Sequence, residues 1–184
     1  MVNIDYSNWD VSLLQAAIEL VRYEGLWTYD ETNSCFELTN DMESLESATR
    51  MKVVGSVALE LLTKSLCIKR QIDILKPPRS TIQQISPYQV FGVNAEQNSW
   101  LSSVLTAHGV TTVADLNTVT FADCIQMLRT DPALVPLLDK VDDWRRVHRN
   151  VDCHISHDII LTFEYEHRLL SLTNQLLAVC KREI

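Results

Sequence analysis

The residues able to do chemistry collect in one short run, Asp142-Asp143-Trp144-Arg145-Arg146-Val147-His148-Arg149-Asn150-Val151-Asp152-Cys153-His154-Ile155-Ser156-His157-Asp158. Three of the five histidines lie here, in a chain of net charge −8. Imidazole titrates near neutrality and moves protons, while guanidinium is a planar, permanently charged fork for oxyanions. The pattern Arg149-Asn150-x-x-x-His154 brings both within one helical turn or loop. A bare Arg-x4-6-His match arises by chance in roughly half of chains of such composition, and Asn directly after Arg lowers that to about one in a hundred. Arginines also close helix C-termini by bonding free carbonyls and opposing the macrodipole. A purely structural origin of the cluster therefore stands beside the chemical one.

Two other chemistries use the same run. His148, Cys153, His154 and His157 are zinc-ligand types, but no CxxC or HxxxH pair of zinc-finger spacing accompanies them. Cys153 could be a thiol nucleophile beside His154, except that side chains of adjacent residues diverge. Asp139, Asp142 and Asp143 read as a solvated helix face. Phosphate-cradling, dinucleotide-binding, nucleophile-elbow and HExxH patterns are all absent from the sequence.

The elements that must position this run are helical. Four glycines and five prolines in 184 residues are too few for the many turns of a sandwich or barrel. Leu14, Ala17, Ile18 and Val21 predict a first helix over Asp10–Glu24, stopped by Gly25. Residues 26–39 read as irregular, with a short hairpin turning at Asn33-Ser34. Asn40 and Glu43 form capping-box spacing ahead of a second helix that continues the stripe Val54, Val57, Ala58, Leu61, Leu62 to Arg70 or Leu75. Pro77-Pro78 ends it.

Residues 76–130 read as an inserted segment, with a helix over Glu96–His108 and a short one over Phe121–Arg129. Asp131 as N-cap and Pro132 at N1 predict a third main helix, with Leu137, Val141, Trp144 and His148 on one face. The fourth spans Ser156–Cys180, with Ile160, Phe163, His167, Leu170 and Leu177 in one register. The expected class is all-α: a single domain, an antiparallel bundle of four main helices, with short helices inserted before the third.

With Arg149, Asn150 and His154 between two long helices, the chain resembles the HEPN superfamily of helical bundles, whose motif is Arg-x4-6-His, often with Asn after the Arg. The resemblance rests on that motif and on the architecture. It implies metal-independent RNA cleavage with no cofactor: His154 takes the proton of a ribose 2′-OH, Arg149 holds the phosphoryl oxygens, and Asn150 organises the pair. A 2′,3′-cyclic phosphate product is expected. It further implies a homodimer through the motif face, a role in stress or defence, and a regulatory or antitoxin partner. Ser156 stands where nucleotidylated toxins of the family carry Tyr, two residues after the motif His, which argues against silencing by that route.

Arg145, one turn before Arg149, is a candidate phosphate contact, and His157 a further RNA-binding candidate. Arg146 reads as solvated and His148 as packed. The alternative from another class is a non-catalytic helical interaction or RNA-binding module. Five cysteines without CxxC point to a reducing cytoplasm rather than a disulfide framework. No stretch approaches the length of a membrane span, and the first ten residues lack the pattern of a secretory signal.

Overall fold

The computed structural model describes residues 9–38, 45–76, 117–149 and 163–182. Their order is α1 (Trp9–Tyr23), β1 (Trp27–Asp30), β2 (Cys35–Leu38), α2 (Leu45–Lys69), β3 (Leu75–Lys76), β4 (Asn117–Thr118), α3 (Phe121–Leu128), α4 (Val135–Trp144), a π-helical turn (Arg145–Arg149) and α5 (Phe163–Arg182). The described residues are mostly helical, with two short antiparallel ladders beside the helices: the hairpin of β1 and β2, and the two-residue pair of β3 and β4.

Helix α1 buries Leu14, Ala17, Ile18 and Val21, the stripe its periodicity predicts. Gly25, at φ 61°, stops it. The Gly25 N–H bonds the Arg22 carbonyl, the Leu26 N–H bonds the Val21 carbonyl, and buried Leu26 packs beyond the end. This is a Schellman closure, which favours glycine because a left-handed residue with a Cβ is strained.

Helix α2 ends by the same device, earlier than the prolines imply. Its last helical residue is Lys69, and Gln71 takes the left-handed position at φ 56°. The Gln71 and Ile72 N–H groups bond the Ile68 and Cys67 carbonyls. The Asn40–Glu43 cap and Pro77-Pro78 lie outside the described residues.

One ion pair and one hydrogen bond fix the direction of α4 against α2. Arg70 meets Asp131 at 2.6 Å near one end of α2, and the Trp144 indole meets Ser56 Oγ at 3.4 Å nearer the other, so α2 and α4 run antiparallel. Gly55 of α2 lies against Leu169 of α5: a Cβ there would sit 2.4 Å from a Leu169 methyl. This close crossing explains a glycine inside a helix, where it costs about 1 kcal/mol against alanine. The core joins Ala58, Leu59, Leu62 and Leu66 of α2 to Ile125 and Leu128 of α3, Leu138, Val141 and Trp144 of α4, and Leu169, Leu176 and Leu177 of α5. Cys67, Cys124 and Cys180, one each from α2, α3 and α5, are buried in it as thiols outside any disulfide.

One helix boundary and one register differ from expectation. Asp131 does not cap α4; its carboxylate bonds the Ala133 N–H and Arg70, closing a turn, and the helix begins at Val135 with Pro136 in its first turn. On α5 the buried face is Glu166, Leu169, Leu172, Thr173, Leu176, Leu177 and Cys180, whereas His167 is exposed. A leucine-rich helix offers two apolar stripes, and packing against Gly55 selects the one holding Leu169. The start predicted for this helix, Ser156, lies outside the described residues.

The hairpin rides on α5. The Asn174 side chain acts as a third strand for β2: its Oδ1 accepts from the Phe36 N–H and its Nδ2 donates to the Phe36 carbonyl, both at 2.8 Å. Asp30 accepts from the Thr32 and Asn33 N–H groups in the tip, and Ser34 takes φ 55°. Lys181 reaches the Tyr29 hydroxyl. The ladder Leu75↔Thr118 and Lys76↔Asn117 pairs the start of the segment read as inserted, 76–130, with residues well inside it. The interior of that segment, including the helix expected over Glu96–His108, lies outside the described residues. Helix α3 does begin as its residues imply, with a Thr120–Asp123 capping box.

Candidate functional site

Helix α4 carries the reactive run at its C-terminal end. After Trp144, fully buried, the helix widens into the single π turn Arg145–Arg149. Such turns are rare and recur where side chains are aimed for function. Arg149 is its last residue, and His148 lies within it. Asn150, His154 and His157, with Cys153, lie outside the described residues.

The centre of the described part is Asp142, a residue read from the sequence as solvated. It is 3% exposed and holds three arginines. Arg145 donates to its Oδ1 from Nε at 2.9 Å and from Nη2 at 2.7 Å. Arg146 Nη2 lies 2.7 Å from Oδ2. Arg129, arriving from the end of α3, lies 3.4 Å from Oδ2 and 2.8 Å from Asp139. Burial acts to raise the Asp142 carboxyl, and the three guanidinium groups outweigh it, so the group sits below its ordinary value and stays ionised.

Arg145 is therefore engaged by a carboxylate on its own helix, with its side chain 15% exposed. Arg146 is solvent-facing, as expected, yet ion-paired. Asp139 and Asp143 are exposed, and each is paired, to Arg129 and Arg168. The spacing of Asp142 to Arg145 and Arg146, three and four residues, is the usual signal for contact on a helix. Nothing local in the sequence points to Arg129 as the third partner.

A second buried carboxylate lies on α5. Glu166 is also 3% exposed, and among the described residues neither its Oε1 nor the Trp27 indole N–H has a hydrogen-bond partner. Burial pushes this carboxyl above its ordinary value; the Trp27 indole and the charge of His167 oppose that without cancelling it.

Between α4 and α5 runs an open groove of roughly 280 Å³, lined by Lys140, Arg168, Ser171, Leu172 and Gln175. Among the described residues, the group with metal-ligand geometry is Asp30, Cys35 and Glu37 on the hairpin, with donor atoms within 4.8 Å of one another. Asp30 there is already occupied by the N–H groups of the tip. Among the described residues, no helix is long and apolar enough to cross a membrane. Comparison with protein-family models, curated proteins and solved structures gives no match.

Proposed function

We propose that this chain is a metal-independent endoribonuclease of the HEPN type, cytoplasmic, acting in stress or defence on a bundle of four main helices. In this reading His154 removes the proton of a ribose 2′-OH, whose oxygen attacks the adjacent phosphorus. Arg149 holds the phosphoryl oxygens as charge grows on them, and Asn150 orients the pair. The leaving 5′ oxygen takes a proton, and a 2′,3′-cyclic phosphate remains. Two copies facing through the motif form one basic cleft on an otherwise acidic protein, and a regulatory protein restrains it.

The observation that carries the reading is the π turn that ends on Arg149. It widens the helix where the motif begins, at the junction of α4 with the segment leading to α5. The antiparallel course of α4 and α5 supports it too: Asp143 pairs with Arg168, while Lys140 faces Ser171 and Gln175 across one groove.

One observation favours the second reading, a non-catalytic interaction or RNA-binding module: the Arg145 guanidinium is tied to Asp142, as in a helix terminus built for stability.

The test compares wild type with His154→Ala on labelled single-stranded RNA and total tRNA, in EDTA. Cutting by wild type alone, leaving cyclic phosphate ends, is the expected result. Equal cutting by both proteins, or none by a folded dimeric wild type, would remove the catalytic reading.

A further inference from the structure

The groove between α4 and α5 has the chemistry of an anion seat. Lys140 brings an ammonium that makes no ion pair among the described residues. Arg168 spends one N–H on Asp143, at 2.7 Å, and among the described residues keeps the rest of its fork. Ser171 Oγ accepts from Gln175 Nε2 at 2.9 Å, which leaves its own hydroxyl hydrogen to donate. Leu172, nearly buried, provides an apolar floor, and among the described residues none that lines the groove is acidic. In a chain of net charge −8, a groove lined by two cations, one of them paired with Asp143, is a local gathering of positive charge.

Its place matters as much as its charge. The two helices that wall it are those that lead into and away from the Arg149–His154 stretch. Lys140 lies nine residues before Arg149 on one continuous helix, about 13 Å along its axis. We propose that this groove seats a backbone phosphate and its ribose from a single RNA strand, outside the bond that is cut. The inference rests on the nuclease reading and adds a substrate class to it. The substrate is an extended single strand that spans both the motif and the groove.

Fluorescence anisotropy with a 5′-fluorescein-labelled single-stranded RNA oligonucleotide tests this, alongside cleavage of the same oligonucleotide in EDTA. Lys140 is exposed, so its variants should fold as wild type does, and their thermal midpoints check that. Lys140→Glu should weaken binding about tenfold and Lys140→Ala about threefold, while Lys140→Arg retains it. The slope of log affinity against log salt should fall by about one in Lys140→Ala. His154→Ala should bind as wild type does.

If wild type cleaves and Lys140→Glu binds unchanged, the groove is not a phosphate seat, and the nuclease reading stands alone. If wild type binds without cleaving and Lys140→Glu loses binding, the seat stands and the nuclease reading fails. A wild type that neither binds nor cleaves overturns both.

Discussion

Asp142 and Glu166 are equally buried, and their surroundings drive them in opposite directions. The Asp142 carboxylate, at the C-terminal end of α4, is wrapped by Arg129, Arg145 and Arg146 and is held below its ordinary value. Glu166, on the seam between α5 and the hairpin, has an oxygen unpartnered among the described residues and an indole beside it, and is raised. Burial alone thus says little about a charge. What decides is whether donors arrive with it. The end of α4 is organised by charge, and the hairpin seam by apolar packing and by neutral hydrogen bonds such as those of Asn174.

The largest test removes the organiser. Asp142→Ala leaves three guanidinium groups without their common acceptor and should cost about 3 kcal/mol in urea unfolding. Asp143→Ala, which breaks the exposed pair with Arg168, should cost under about 0.5 kcal/mol. Equal losses would mean that the buried hub is no more than another surface pair. The hub also has an acid signature. A lowered carboxyl contributes stability that is present above the ordinary aspartate range and is lost as pH falls through its folded value. Asp142→Asn should therefore flatten the acid limb of the stability profile.

Next in size is the neutral seam. Asn174→Ala leaves the Phe36 N–H and carbonyl without partners and should cost about 2 kcal/mol. Amide hydrogen exchange at Phe36 should accelerate with it. Unchanged exchange there would move the seam's anchor elsewhere.

Smallest, and opposite in sign, is Glu166→Gln. A raised carboxyl weakens the fold as pH rises above the ordinary glutamate range, because the unfolded chain ionises first. The variant should gain about 1 kcal/mol at neutral pH and nothing in acid, where both residues are uncharged. A loss at neutral pH would show that the ionised form of Glu166 has a partner the fold relies on.

Legibility followed the range of the forces involved. Short-range rules were enough for α1, whose stripe and Gly25 stop are local, and for α3, whose Thr120 and Asp123 lie three residues apart. They failed at Gln71, because a non-glycine residue in a left-handed cap shows no mark in the sequence. They failed again at Asp131, where Arg70, sixty-one residues away, takes the side chain that capping rules assign to the helix. The α5 register depended on Gly55, a contact across the fold. At the candidate site, the arginine run and its Asp142 neighbour were readable together as helix spacing. Their burial was not, because it depends on Arg129 arriving from α3. The residue types of the motif remain a reading of Arg149, Asn150 and His154 from sequence, with Arg149 set at the end of a helix turn of unusual width.

The buried thiols amount to a set of clocks. Cys67, Cys124 and Cys180 sit on three different helices, and an alkylating reagent reaches each only when its own surroundings open. Cys35, on the hairpin, is partly exposed, and burial, with the charges of Asp30 and Glu37, pushes its thiol above the ordinary value and slows its reaction. Timed alkylation followed by peptide mass spectrometry would give four opening rates from one unmodified chain. Their order would show whether α2, α3 and α5 come apart together or peel away one at a time.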